Sequence, residues 1–389
     1  MKKIALLGFG TVGQGVFNIL KEKKAELKKR GFDLEVKKIL VRNLNKVKDF
    51  DPSLFTNDFE DILRDDEIDL AIEMTGDLEN SYIYISKLLK AKKDVITSNK
   101  SVLSLHFEEF LNLSKENGAK IYFEAAVGGT VPVVREVKAL SIFNKIDKIY
   151  GILNGTSNYI LYNMFENKAD YSEVLEKAQE LGYAERDPSD DVLGYDMRRK
   201  LRILMSIIGG GKITEDEIEV FGLDKITKID VEYLGENYRV KELALGKFNK
   251  NKFVGLVEPA LFKKDEDLAR LDDANNMVEI YGDYFEKLTL KGKGAGRYPT
   301  ASAVVCDLID LLSGNDWEIS SGNDLINENK NFKASYYLRT KGDFPKDLIA
   351  SQEEFKGYKI IRTKEILRSD LIKNIKDEDS FFARIEEND

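Results

Sequence analysis

The chain has 389 residues, with 60 Lys plus Arg against 69 Asp plus Glu and a formal net charge of −9. Hydrophobic residues make up 42% and charged residues 33%, a globular composition that excludes disorder, and the acidic balance argues against a nucleic-acid binder, which needs a basic face. No apolar run reaches the roughly 18 residues of a membrane helix. The opening MKKIALLGFG is too short and too glycine-punctuated for a signal peptide. Cys306 is the single cysteine, which forbids an intramolecular disulfide and fits a reducing, cytoplasmic location. His106 is the single histidine, in the amphipathic stretch SLHFEEFLNL, and reads as a surface helix residue. A multi-histidine metal site is therefore excluded, and lysines, carboxylates or a borrowed cofactor must carry any chemistry.

The first 130 residues alternate strand and helix. Apolar runs predict strands at 4–7, 36–41, 70–74, 95–97 and 121–123. Helical spacing, as in Val12, Val16, Ile19 and Leu20, predicts helices at 12–30, 82–89 and 101–115. Such alternation favours a Rossmann-type parallel sheet with helices on both faces. Beyond Gly128–Gly129 the pattern changes. A strand at 146–153 runs into the loop Asn154–Gly155–Thr156, followed by helices at 159–165, 172–181 and 192–208, the last stopped by Gly209–Gly210–Gly211. Residues 237–291 read as antiparallel strands, a glycine-rich turn spans 292–296, and a helix follows at 300–312. One further strand is expected at 334–339. The fold class is α/β: a Rossmann-type parallel-sheet domain at 1–135, an α+β domain at 136–291, and a tail module at 325–389. An antiparallel sheet with one helical face buries its other face well against a second copy, which favours a homodimer or higher homo-oligomer.

Gly8-Phe9-Gly10-Thr11-Val12-Gly13 is a GxGxxG turn between the first strand and the first helix. There the glycines close the turn tightly and bring backbone N–H groups and the helix N-terminus to a pyrophosphate. At the end of the second strand an acid would bind an adenosine ribose hydroxyl and an arginine a 2′-phosphate. KKILVRNLNK places Arg42 there, which favours NADP, with NAD as the other cofactor the fold accommodates.

In DVLGYDMRRKLRIL, Asp196 and Lys200 share one helix face at i and i+4. Such a pair is ordinarily a surface ion pair. The acid-dense loop upstream, QELGYAERDPSDD with Glu185, Asp187, Asp190 and Asp191, is poorly built for packing alone and raises the functional reading. A lysine held among carboxylates can exchange a proton as a carbonyl interconverts with an alcohol. Lys100, in TSNKSVLS after the fourth strand, is a second candidate at the mouth of the sheet.

The segments LLGFGTVGQGV, TSNKSVLS, FEAAVGGTVPVV, ILNGTSNYIL, AQELGYAERDPSDDVLGYDMRRKL and GKGAGRYPTASAVVCDL together resemble homoserine dehydrogenase, in family order over about residues 1–315. The resemblance implies reversible NAD(P)-dependent reduction of L-aspartate 4-semialdehyde to L-homoserine, on the way to threonine and methionine. It implies Lys200 as proton donor, Asp196 orienting substrate or lysine, Glu185 with Asp190 or Asp191 on the substrate amino group, and Lys100 near the nicotinamide. Thr75 and Gly296 match cofactor contacts, and the resemblance implies that 292–315, with the helix at 300–312, returns to complete a dinucleotide-binding domain at 1–135, leaving 136–291 for substrate binding and dimerisation. A monovalent cation, expected to be sodium, would take the Glu124 side chain and the carbonyls of Val127, Gly129 and Val131, an all-oxygen set suited to a hard ion. No kinase-sized region precedes the first strand, so the bifunctional aspartokinase form is not expected. KASYYLRTKGDFPKDLI resembles the opening of a regulatory ACT module, in a tail short enough to be a truncated module or a remnant. The alternatives are another Rossmann amino-acid dehydrogenase, or a noncatalytic NADP-sensing regulator of the same fold.

Overall fold

The computed structural model describes residues 1–47, 49–315 and 318–386. They form two compact units, one of residues 1–142, 206–212 and 293–322, the other of residues 143–205, 213–292 and 323–389. No described helix is long and apolar enough to cross a membrane.

The first unit is built on strands β1 (Lys2–Leu7), β2 (Leu34–Leu40), β3 (Phe55–Thr56), β4 (Leu70–Glu73), β5 (Asp94–Thr97) and β6 (Ile121–Tyr122). They lie in the order β3-β2-β1-β4-β5-β6, every pair parallel. Helices cover both faces of a parallel sheet, so its strands read as near-continuous apolar runs, and Ile4, Ala5, Leu6 and Leu7 are all buried. The helix Arg297–Ser313 belongs to this unit, where Ala301, Val304 and Leu308 join the core of Ile4, Leu6, Ile72 and Ile96. The single helix expected at 12–30 is two, Thr11–Glu22 and Lys24–Lys29. The second piece buries no residue, because its lysine-rich sequence offers no apolar stripe to pack.

The second unit continues with β7 (Ile146–Ile152), β8 (Tyr238–Asn249), β9 (Lys252–Lys263), β10 (Asn275–Gly282) and β11 (Glu286–Lys293). The tail adds β12 (Tyr336–Thr340), β13 (Ile349–Phe355), β14 (Tyr358–Thr363) and β15 (Phe381–Ile385). All nine form one path, β11-β10-β7-β8-β9-β15-β12-β14-β13. The junction is a short parallel pairing of β9 with β15, Ala260 opposite Arg384 and Leu261 opposite Ile385. Within the tail the order β15-β12-β14-β13 is that of a βαββαβ unit. Its second helix is Arg368–Asn374, and only a 3₁₀ turn, Lys346–Leu348, stands where the first would be. Sequence periodicity found one of these four strands. Residues 349–355, IASQEEF, are mostly exposed and polar through the middle, so no alternation marks them.

Two buried charge clusters tie the tail to the rest of the unit. Asp230, fully buried on the helix Lys228–Leu234, accepts Arg339 Nε at 2.8 Å and the Tyr337 hydroxyl at 2.9 Å. Arg339 also donates to the carbonyls of Asp379 (2.9 Å) and Lys225 (2.8 Å). Glu258 on β9 accepts Arg368 Nε at 2.7 Å and Arg384 Nε at 2.9 Å. Removing one member of a buried pair strands the other's charge, so Asp230→Ala is expected to cost about 3–5 kcal/mol. Replacing Asp230 and Arg339 together by leucine should cost clearly less, and urea unfolding of the three variants measures the difference.

Candidate functional site

In the first unit the GxGxxG turn forms a ligand cradle. Gly8 has φ +99°, and a Cβ there would stand 2.8 Å from the Met74 carbonyl oxygen. A Cβ on Gly13 would meet the Gly8 oxygen at 2.3 Å, whereas one on Gly10 would meet nothing within 4 Å. Gly8 and Gly13 thus close the turn, and Gly10 opens the backbone toward space, the division of labour a pyrophosphate site requires. A cavity of about 500 Å³ adjoins the turn, lined among others by Gly8, Gly10, Arg42, Lys46, Thr75 and Asp77. Arg42 is largely exposed and pairs with Asp77 across it. Hydrogen bonding from Asn80, with Arg42 nearby, holds the Asp77 carboxyl below its usual range.

Sequence reasoning missed the buried carboxylate that organises the mouth of this sheet. Glu73, at the end of β4, is fully buried. Its Oε1 accepts the Thr75 N–H (2.8 Å), the Thr75 hydroxyl (2.7 Å) and the Ser81 hydroxyl (2.7 Å), and its Oε2 accepts the Thr97 hydroxyl (2.7 Å). Asn99 donates to Ser81 Oγ at 3.1 Å and receives the Val102 N–H at the start of the helix that Lys100 begins. Glu73 therefore fixes both Thr75 and the turn carrying Lys100. His106 sits further along that helix, beside Glu109 at 3.1 Å and against the Tyr82 ring.

In the second unit Lys200 is 8% exposed on the helix Tyr195–Gly209. Its Nζ donates to the Leu153 carbonyl at 2.7 Å and pairs with Asp196 Oδ2 at 2.8 Å. Asn154 Nδ2 reaches the same Asp196 oxygen at 2.8 Å and Asp191 Oδ1 at 2.7 Å. Asn154 Oδ1 meanwhile accepts the Ser157 N–H at 2.8 Å, capping the helix Gly155–Asn167. The segment Asn154–Thr156, read as a loop, is therefore a helix start, and its cap binds the acidic cluster. The helix expected to begin at 192 begins at Tyr195, because Gly194 at φ +81° separates it from the short turn Ser189–Val192. That break turns Asp191 toward Asn154.

The two alternatives in the acidic loop separate here. Asp191 joins the lysine cluster, whereas Asp190 pairs with Arg199 at 2.7 Å near the surface. Glu185 is exposed in this structure, on the same loop. Glu242 on β8, also missed, is 1% exposed and faces Ser157, Asp191 and Asp196. Burial, reinforced by the two aspartates, pushes its carboxyl well above the usual range. Asn276 on β10 donates to the Leu153 carbonyl at 3.0 Å, beside the lysine. Nothing in the alternation of β10 marked it, because a polar residue at a strand start reads as solvated.

The candidate cation loop lies in the first unit. Glu124 Oε1 and Oε2 accept the N–H groups of Val134 (3.0 Å) and Arg135 (2.7 Å), and burial pushes its carboxyl up to about 7. Among the described residues, no hydrogen bond is directed at the buried carbonyls of Val127 and Gly129. The Val131 carbonyl accepts Val133 N–H at 2.8 Å and keeps its second lone pair. Buried loop oxygens around a carboxyl of this kind fit a hard monovalent cation.

The family described as "Homoserine dehydrogenase" matches residues 132–309, and that described as "Homoserine dehydrogenase, NAD binding domain" matches residues 8–124. A homoserine dehydrogenase of Bacillus subtilis (strain 168) is 35% identical over 314 residues, 80% of this chain and 72% of that protein. A homoserine dehydrogenase structure from Thiobacillus denitrificans superposes with a TM-score of 0.89 at 29% identity, covering 99% of this chain and 98% of that one. A hyperthermophilic archaeal homoserine dehydrogenase mutant in complex with NADPH gives a TM-score of 0.69 at 25% identity, over 82% and 99% of the two chains.

The two buried glutamates should respond differently to amidation. Glu73→Gln removes a charge that four donor groups satisfy and is expected to lower stability by about 1.5–3 kcal/mol. Glu242→Gln puts an uncharged amide where burial already disfavours the carboxylate and should change stability by less than about 1 kcal/mol. Paired urea titrations at pH 7 provide the comparison.

Proposed function

The chain belongs to the homoserine dehydrogenase family, and from that premise we propose that Lys200 is the proton donor and acceptor in its reaction. The enzyme catalyses the NAD(P)-dependent reversible reduction of L-aspartate 4-semialdehyde to L-homoserine, an oxidoreductase acting on a CH–OH group. Bound nicotinamide supplies or takes the hydride. The chain's own residues must then bind the substrate, manage one proton and balance charge.

The observation that carries this assignment is the buried Lys200 ammonium, held between the Asp196 carboxylate and the Leu153 carbonyl. An ammonium kept in place by two acceptors can release a proton to an oxygen developing negative charge, and the neutral amine can take it back from the homoserine hydroxyl. Asp196 compensates the positive charge and orients the amine. Asp191, held by the same Asn154 amide, is the better placed of the loop acids for the substrate ammonium, with Glu185 closing over it from the exposed loop. Lys100, Thr75, Gly296 and the GxGxxG residues serve the cofactor side.

Arg42 supports a preference for NADP, since it stands on the cavity beside the glycine turn with Lys46 near it. Binding of a 2′-phosphate would draw Arg42 from Asp77. Glu124 with the carbonyls of Val127, Gly129 and Val131 would hold a sodium ion, which orders the turn without entering the chemistry. The tail fits a shortened ACT-like module, since its strand order matches and one helix is missing. Cytoplasmic, homodimeric enzyme is the reading consistent with composition and with the broad antiparallel sheet.

Homoserine-dependent reduction of NADP, followed by nicotinamide absorbance, tests the assignment. Lys200→Ala should lower kcat by about 10²–10⁴-fold, the range of a lost general acid–base. Retained turnover in that variant would overturn the role of Lys200. Arg42→Ala should raise KM for NADP about tenfold or more, the loss of a charge-assisted bond, and leave NAD nearly unchanged. Equal weakening of both would remove the 2′-phosphate argument.

A further inference from the structure

The Leu153 carbonyl that receives Lys200 lies just beyond the last ladder pair of β7 with β10, Ile152 opposite Met277. Free of a strand partner, it takes two side-chain donors instead, Lys200 Nζ at 2.7 Å and Asn276 Nδ2 at 3.0 Å. A carbonyl oxygen has two lone pairs, and these two donors use both. The Asn276 amide cannot be turned around, because only its NH₂ end can face a carbonyl. Its Oδ1 is therefore a fixed acceptor, and this atom, on a residue with 0% exposure, has no hydrogen-bond partner among the described residues. A buried acceptor left unsatisfied forfeits the hydrogen bonds it made to water without replacing them. Packing alone would favour an apolar side chain in its place.

We propose that Asn276 is a positioning residue for the Lys200 proton, aiming the Leu153 carbonyl at the ammonium and limiting how strongly that carbonyl can hold it. With its second lone pair engaged by an amide, the carbonyl is a weaker acceptor for the ammonium, so the lysine gives up its proton more readily. Asn276 touches neither substrate nor cofactor in this account and acts only through the Leu153 peptide. The inference rests on the assignment of Lys200 as the proton carrier.

The test is the pH profile of kcat for homoserine oxidation, where the rate rises as Lys200 loses its proton. Asn276→Asp cannot donate to the carbonyl when ionised and sets a negative charge beside the ammonium, which favours the protonated lysine. The rise should move to higher pH by about one unit, the size expected of an opposite charge within ~4–6 Å. Asn276→Ser, smaller and still a donor, should keep the wild-type midpoint while losing some kcat. In both variants KM for homoserine should stay within about threefold, because substrate contacts are intact. Thermal unfolding and NADPH titration establish that each variant is folded.

A wild-type midpoint in folded Asn276→Asp, whatever its kcat, would overturn the positioning role and leave Asn276 a packing residue. Lys200→Met run alongside separates the two levels. If Lys200→Met is inactive and the Asn276→Asp profile does not move, only this inference fails. If Lys200→Met turns over normally, the assignment beneath it fails as well.

Discussion

A lysine ammonium almost removed from water is the constraint around which the second unit is arranged. A charge so buried is tolerated only when paired and hydrogen-bonded, since its desolvation otherwise outweighs any contact it makes. Here the helix supplies Asp196 one turn before Lys200, and the end of β7 supplies the Leu153 carbonyl. Asn154 then does two things at once, satisfying the orphan N–H of Ser157 at a helix start and holding Asp191 and Asp196 with its amide. The short break at Gly194 serves the same end, because an unbroken helix from residue 192 would carry Asp191 elsewhere.

The first unit solves a related problem with an anion. Glu73 stands at the C-terminal edge of a parallel sheet, where binding loops gather. Four donors from Thr75, Ser81 and Thr97 converge on it, so two adjacent loops share one rigid anchor. In both units, therefore, the candidate site is built on a buried charge whose partners come from separate segments of chain. The tail follows the same logic structurally, with Glu258 gathering Arg368 and Arg384 and Asp230 gathering Arg339 and Tyr337, so joining the four tail strands to the rest of the sheet.

Legibility in the sequence followed the range of the interaction. The parallel sheet announced itself through apolar runs and the glycine turn, because both are local consequences of strand burial and of a tight βα connection. The pair Asp196 and Lys200 was visible for a similar reason, as i and i+4 are neighbours on any helix. Within the acidic loop, however, Asp190 and Asp191 were equivalent as sequence. Only the packing of Asn154 against one of them, and of Arg199 against the other, distinguished them. The tail strands were hidden for want of alternation, since β13 is a polar edge strand.

By itself, then, the sequence determined the fold class, the family, the glycine turn and the pairing of Asp196 with Lys200, all of which rest on contacts a few residues apart or on motifs long enough to be specific. Tertiary structure alone decided that Leu153 offers its carbonyl to both Lys200 and Asn276, that Glu73 rather than any loop residue anchors the mouth of the parallel sheet, and that burial raises the Glu242 carboxyl. Each of those facts is a matter of burial and of partners far apart along the chain. The chemistry of a polar group out of water is set by what the fold brings to it, and no spacing along the chain records that.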